Sequence, residues 1–486
     1  MNDLFFLIHS LSANEKRYVT LYINRFSNTK NNYSNLFNTI SKDINCNDDV
    51  IIKKHRKDAF IQNLSVTKHY LFKIILNAMC EYFDEQFIDW KLRNQLSHIF
   101  VLTSKGLDKT AHKMMLKTKE EAAKYENYYI LLEVINHERW LYGNRRIMQK
   151  DKNYGIQLCN EEKSIYDILN KLHQYREIWH QLNSVELSQH QMDNTTYINK
   201  IHDIVNVDAL KEIPTSDSFT IKTWYFSCLA HYYTLIDDAE QHLKYYKEVI
   251  LLRENQFASN PSAPIDLFAI FYNYMLACYK SKNWEELKIY LDKILQVEAK
   301  TIEKKIKLFH DYYHCKLLYL LGTEEYIDID LVLNEVKKGL ALYQERIRTD
   351  FLILILQCSG LLCLFNKRYK EANAWWQNVV HIEKTNIEIK TQCAVHIYML
   401  MLSVDEQDYD VLEYQINTAT KFLKDNNQYN KSEELLLKSF KKISKNKNKQ
   451  KVYFSDVYHE ISNINKGNLV TIIDDFILKW LNQKLN

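Results

Sequence analysis

The sequence predicts an all-α fold, a right-handed superhelical array of antiparallel helix pairs. Three observations predict it: scarce glycine and proline, apolar residues at helical spacing along the chain, and a C-terminal repeat with a period near 42. In a chain of this length average usage would place roughly 34 glycines and 24 prolines. The 486 residues contain 7 and 3. Hairpins need turn residues at positive φ, and doubly wound folds need glycines after their strands, so both classes are disfavoured. So little glycine also predicts few tight turns. The length suits roughly three domains or one long array.

Composition narrows the function classes. A hydrophobic fraction of 46%, a charged fraction of 26% and a net charge of +3 force neither disorder nor general polyanion binding. The opening Met1-Asn2-Asp3-Leu4-Phe5-Phe6-Leu7-Ile8 puts an acidic residue before a short apolar run, unlike a secretory signal. The longest apolar stretch, residues 351–365, is interrupted by Gln357, Ser359 and Gly360 and falls short of the roughly 20 residues that span a bilayer. It reads as a buried helix. Nine cysteines form no CxxC pair and are odd in number, which fits reduced, buried thiols in a cytoplasmic protein.

Taken in order, Ser12-Ala13-Asn14-Glu15 has the spacing of a capping box and opens a helix to about Phe26. Leu64, Tyr70, Leu71, Ile74, Ile75 and Met79 mark a longer helix, and Leu92, Leu96, Ile99 and Leu102 the next. Ile165, Ile168, Leu172, Tyr175, Trp179 and Leu182 form the seam of a helix packed along one neighbour. The segment Ile213-Pro214-Thr215-Ser216-Asp217-Ser218 is a boundary, because Pro disfavours helix before it and Ser or Asp can cap the next helix. Asn260-Pro261-Ser262-Ala263-Pro264 is a second loop and the Lys- and Asn-rich residues 441–451 a third. The resulting division is 1–84, an N-terminal helical region; 85–213, helical with degenerate repeats; 214–444, the repeat array; and 445–486, C-terminal capping helices.

The repeat is read from Trp284, Tyr326, Tyr369 and Tyr409, which succeed one another at steps of 42, 43 and 40 residues. Each has one helical face at +3, +7 and +10: Leu287, Leu291 and Ile294; Ile329, Leu333 and Val336; Ala372, Trp376 and Val379; Leu412, Ile416 and Ala419. An apolar helix precedes each, at 267–279, 309–321, 351–365 and 392–402. An earlier unit pairs residues 224–235 with Ala239, Leu243, Tyr246 and Ile250.

The unit built on Leu356, Ser359, Gly360, Cys363, Lys367, Tyr369, Ala372, Trp376 and Val379 resembles a tetratricopeptide repeat, with small Gly360 and Ala372 where two helices approach. Lys105-Gly106-Leu107-Asp108-Lys109-Thr110-Ala111 resembles the turn of another. Leu287, Ile329 and Leu412 stand where that family has a small residue, and the period exceeds the family's usual length, which implies wider packing and longer helices. The stretch Leu11-Ser12-Ala13-Asn14-Glu15-Lys16-Arg17-Tyr18 resembles the start of uncharacterised bacterial helical-repeat proteins, which offer no activity to carry over.

Motifs for chemistry are sparse. No two glycines lie close enough for a phosphate-cradling loop, and no GxSxG elbow occurs. In His310-Asp311-Tyr312-Tyr313-His314 two histidines share a helical face, as zinc ligands do, with Asp in place of the usual Glu. No third ligand is suggested, so the expectation is a half-exposed histidine pair, with no metal and no cofactor. The aromatics at repeat spacing, Trp375 and Trp376 among them, are read as core rather than a base-stacking platform. Cys278, Cys315 and Cys363 are read as small buried residues. Lys441, Lys442, Lys445, Lys447, Lys449 and Lys451 are read as a solvated loop, and Lys53, Lys54, His55, Arg56 and Lys57 as the exposed side of a helix start.

Stacked helix pairs present an extended face lined by the first helix of each pair. Stepping back from the repeat aromatics places Tyr272, Tyr279, Lys280, His314, Leu318, Gln357, Leu361 and Met401 on it. The face is largely apolar with a few polar handles and would suit an amphipathic helix or an apolar peptide. Equally, it could pack on the N-terminal helices of the same chain. The function expected is a non-catalytic protein- or peptide-binding scaffold. The alternative is a regulatory or nucleic-acid-associated receptor controlled by a peptide.

Overall fold

Several helix starts in this protein carry side-chain caps, and the earliest along the chain is the predicted capping box. In the computed structural model the Ser12 amide donates to Glu15 Oε2 at 2.6 Å and the Glu15 amide to Ser12 Oγ at 3.3 Å. The structure describes residues 3–25, 32–43, 46–84, 87–147, 153–188, 192, 194–216, 218–259, 266–299, 301–326, 328–382, 389–429, 431–465 and 475–485. Among these every element is helical. The predicted loop 260–264, Met1, Asn2, Phe26 and Asp217 lie outside the described residues.

Two compact units divide the chain, one comprising Met1–Asn170 and Glu254–Ile265, the other Lys171–Arg253 and Asp266–Asn486. The first unit holds α1 (Asp3–Ser10), α2 (Ala13–Arg25), α3 (Asn32–Lys42), α4 (Asp48–Lys54) and α5 (Leu64–Asp84) around a core that includes Ile8, Val19, Leu36, Phe37, Ile51 and Ile75. It continues through α6 (Ile88–Ser104), α7 (Asp108–Lys124) and α8 (Tyr128–Gly143), each packed on the next. Between them Glu138 is wholly buried and accepts from His112 Nε2 at 3.0 Å, Lys119 Nζ at 3.2 Å and the Tyr154 hydroxyl. Three donors compensate the desolvation of that carboxylate. Lys53 and Lys54 sit at the end of α4 rather than at a helix start, and His55 caps it while its ring meets Thr39 Oγ1 at 2.8 Å and Asp58 Oδ2 at 2.7 Å.

The long α9 (Tyr154–Leu187) carries the predicted seam, with Ile165, Leu172, Tyr175 and Leu182 buried. The second unit continues with α10 (Asn194–Val205), α11 (Asp208–Lys211), α12 (Phe219–Leu235) and α13 (Ala239–Ser259), of which the residues from Glu254 onward belong to the first unit. Then come the pairs α14 (Leu267–Lys280) and α15 (Trp284–Leu295), α16 (Ile302–Thr323) and α17 (Ile329–Tyr343), α18 (Thr349–Phe365) and α19 (Tyr369–Val380), and α20 (Ile389–Asp405) and α21 (Tyr409–Asp425). Helices α22 (Lys431–Lys445), α23 (Gln450–Asn465) and α24 (Asp475–Leu485) close the order. The predicted +7 residues Leu291, Leu333, Trp376 and Ile416 are all buried.

First helices pack on first helices, α14 on α16, α16 on α18 and α18 on α20, while α15 and α19 each also touch the next pair. Residues 441–451, expected as a loop, instead form the end of α22, a 3-10 turn at Lys447–Lys449 and the start of α23. Lysine is a good helix former, so the Lys-rich residues continue the helices and only Asn446 and one 3-10 turn part them. Among the described residues no helix is long and apolar enough to cross a membrane.

The turns depart most from expectation. Lys282, Glu324, Lys367 and Gln407 all have φ near +60° and stand two residues before Trp284, Tyr326, Tyr369 and Tyr409. Asp237 and Glu126 do the same before α13 and α8, and only Gly106 before α7 uses the permissive residue. In six of these seven turns the amide after the left-handed residue bonds the carbonyl five residues back, as in Asn283 to Cys278 at 2.8 Å and Asp408 to Ser403 at 2.9 Å. The side chains of Asn127, Asp238, Asn283 and Asp408 then cap the second helix. Tight turns are therefore plentiful, and all but one of these seven are made without glycine.

Candidate functional site

The face expected to bind a partner is largely occupied by its own packing. Tyr272, His314, Leu318, Gln357, Leu361 and Met401 are buried, whereas Tyr279 is half-buried and Lys280 exposed. Tyr272 on α14 and His314 on α16 share a hydrogen bond at 2.8 Å from hydroxyl to Nδ1. Gln357 on α18 donates to the Tyr398 hydroxyl on α20 at 3.0 Å, and the indole of Trp376 donates to the Gln357 carbonyl at 3.3 Å. These polar residues are handles between successive first helices, because buried polar atoms must be paired.

His310 and His314, expected half-exposed, are buried too. The His310 ring stacks on Phe351 with centroids 3.9 Å apart, and its Nδ1 lies 2.8 Å from Asp311 Oδ1 on the adjacent residue. That contact is poorly aligned for a hydrogen bond, and burial raises the Asp311 carboxyl even with His310 beside it. Burial pushes His314 down to about 3, helped by His310. Among the described residues no three His, Cys, Asp or Glu side chains are arranged to hold a metal ion. Cys278, Cys315 and Cys363 are buried thiols, each raised by desolvation.

A second cluster stands where α9, α12, α13 and the end of α14 meet in the second unit. Glu186 Oε2 of α9 lies 3.7 Å from His231 Nε2 of α12, an ion-pair distance too long for a hydrogen bond. Glu186 keeps 48% of its side-chain surface, yet burial raises its carboxyl against the ammonium groups of Lys280 and Lys390. His231 and His242 of α13 are each held down to about 4, first by burial and then by Lys280. His231 Nε2 and His242 Nδ1 are buried ring nitrogens without a hydrogen-bond partner. Trp179 lies 5.9 Å from the His231 ring and 6.3 Å from Trp224, nearly perpendicular to the latter. The Tyr246 hydroxyl bonds Asn273, and the buried Tyr197 is pushed up to about 12 by desolvation and Glu186.

Of the eight predicted residues, Lys280 is the one whose charge acts on Glu186, His231 and His242. Glu186, His231, His242 and Lys390 come from four helices, and no local spacing links them in the sequence. Helix periodicity placed His231 on α12 but held no sign of the groups that would face it. No family model matches the chain, and no curated protein and no solved structure matches it.

Proposed function

We propose that this chain is a non-catalytic, cytoplasmic scaffold, a right-handed superhelical array of tetratricopeptide-like helix pairs that binds a protein or peptide partner. The observation that carries the reading is the common register of its turns, two residues before each repeat aromatic, together with first helices that pack on first helices. Units that contact mainly their neighbours stack into arrays whose extended faces serve as binding surfaces. With most of the expected face consumed by packing, the accessible strip runs through Tyr279 and Lys280 at the end of α14. The partner is an amphipathic helix or an apolar peptide carrying an acidic residue opposite Lys280.

The test is native mass spectrometry of the protein gently purified from its host, with and without nuclease, beside a Tyr279→Ala/Lys280→Glu variant. The expected result is a co-purifying polypeptide that survives nuclease and is lost with the variant, at unchanged helix content. A polypeptide retained equally by the variant removes the proposed strip. A nuclease-sensitive mass favours the second reading, a nucleic-acid-associated receptor. That reading has its own support in the exposed Lys441, Lys442, Lys445, Lys447, Lys449 and Lys451 at the corner between α22 and α23.

A further inference from the structure

The C-terminal turns of α6 and α8, both in the first unit, are tied side by side by their side chains. His137 Nε2 of α8 meets Thr103 Oγ1 of α6 at 3.2 Å, and the Phe100 and His137 rings stand nearly perpendicular with centroids 4.7 Å apart. The Thr103 hydroxyl donates to the Ile99 carbonyl at 2.9 Å, so it accepts from His137 and fixes that ring's tautomer and angle. Trp140 follows one turn on, 5.9 Å from His137, with the Arg146 guanidinium 5.3 Å from its ring centre. Arg146 also donates to the Thr103 carbonyl at 2.9 Å and pairs with Asp108 at 2.6 Å. The result is a row of rings held at set angles, in which Phe100 and Trp140 remain 48% and 49% exposed.

Charge decides what such a row can meet. Lys105 caps the end of α6, Lys109 lies in the first turn of α7 and Arg145 in the turn after α8. All three are exposed, and among the described residues no carboxylate pairs with them. Of the neighbouring acids, Asp108 is engaged by Arg146, which leaves Glu133 one turn before His137. The excess of cations is regional as well as local. Residues 51–150 hold 18 lysines and arginines against 11 aspartates and glutamates, whereas the rest of the chain is net acidic. The complementary partner is a polyanion.

We propose that the paired ends of α6 and α8 bind single-stranded nucleic acid, with bases stacked on Phe100 and Trp140 and phosphates on Lys105, Lys109 and Arg145. Each nucleotide brings both an aromatic face and a negative charge, so one strand engages the rings and the cations together. An acidic peptide answers the charge but leaves the rings in water, and a duplex keeps its bases stacked inside. This goes beyond the scaffold reading, and it depends neither on that reading nor on the lysines at the corner between α22 and α23.

The probes are labelled oligouridylate and oligothymidylate of about twelve nucleotides, titrated into the full chain by fluorescence anisotropy. An abasic strand of the same length and an acidic peptide run beside them. At least one oligonucleotide is expected to bind saturably, and the abasic strand about tenfold more weakly. Phe100→Ala and Trp140→Ala, at half-exposed positions, should each weaken binding by about tenfold with the salt dependence unchanged, and Trp140→Phe should restore most of it. Lys105→Gln and Arg145→Gln should each reduce the slope of log affinity against log salt by about 0.7. Equal binding of the abasic strand overturns the proposal, as does unchanged affinity in both ring variants or no saturation below about a millimolar. Loss of binding on replacing Lys445, Lys447 and Lys449 while the ring variants bind normally also overturns it, and moves the contact to the other corner. Binding of the acidic peptide alone overturns it and leaves the scaffold reading standing.

Discussion

A Cβ added to Gly360 would lie 2.2 Å from the indole nitrogen of Trp376, a distance no real side-chain carbon tolerates. The indole cannot give way, because Trp376 is fully buried and donates to the Gln357 carbonyl. Gly339 against Phe309 and Gly322 against Trp284 are in the same position, at 1.9 and 2.4 Å. Gly360→Ala is therefore expected to destabilise by roughly 1–3 kcal/mol, despite alanine's better helix propensity. Gly143→Ala is the control, since nothing lies within 4 Å of its added carbon. Urea unfolding of the two variants separates the cases, and equal midpoints would remove the packing argument. The sequence held this contact in readable form, because Gly360 and Trp376 sit at fixed places in one repeat. It did not hold the fate of Tyr272, His314 or Met401. Spacing tells which face of a helix a residue occupies, but not whether another helix covers that face.

At the scale of elements, the helices are where the apolar spacing puts them. Spacing predicts helices at 267–279 and 351–365, and Leu267–Lys280 and Thr349–Phe365 form. Glycine content is a poor guide to the turns, because other residues adopt the left-handed backbone in its place. That backbone costs an ordinary residue roughly 1–2 kcal/mol, against a smaller entropic loss for glycine. Lys282, Lys367 and Gln407 bear that cost, since the bond from the following amide to the carbonyl five residues back fixes their geometry. Lys282→Gly, Lys367→Gly and Gln407→Gly should each stabilise the protein by roughly 0.5–1 kcal/mol, whereas alanine at the same places should change little. A triple glycine variant that melts no higher than the parent would show that these turns carry no strain.

For the whole molecule the consequence of its buried histidines is a loss of stability in mild acid. His231 and His242 titrate at about 4 and His314 at about 3 in the fold, against an ordinary value of 6.5. Below 6.5 the unfolded chain takes up protons that the folded chain refuses, so their contribution is complete above that pH and falls as pH drops toward 4. Each group contributes a slope of at most about 1.4 kcal/mol per pH unit in that window. Raised carboxyls at Asp311 and Glu186 act with the opposite sign and soften the slope. Unfolding midpoints in urea should drop clearly between about pH 7 and pH 5, and a flat profile would contradict neutral burial of these rings. None of this was legible in the sequence, because a histidine's neutrality depends on helices distant along the chain.

Helix α24 adds a property that a string of neighbours lacks. Lys479 donates to the Leu321 carbonyl at 3.0 Å and pairs with Glu324 at 2.8 Å, while Trp480 and Lys484 both reach Asp405. The bond to Leu321 joins positions 158 residues apart. An array held only by adjacent contacts can peel from one end, a pair at a time. Here α20 and α21 cannot leave before α24 lets go, so pulling on the C-terminal side should meet one large rupture and then smaller ones. Synthesis runs the same order in reverse: the pairs can dock as they emerge, and the clasp closes only after α24 has been made.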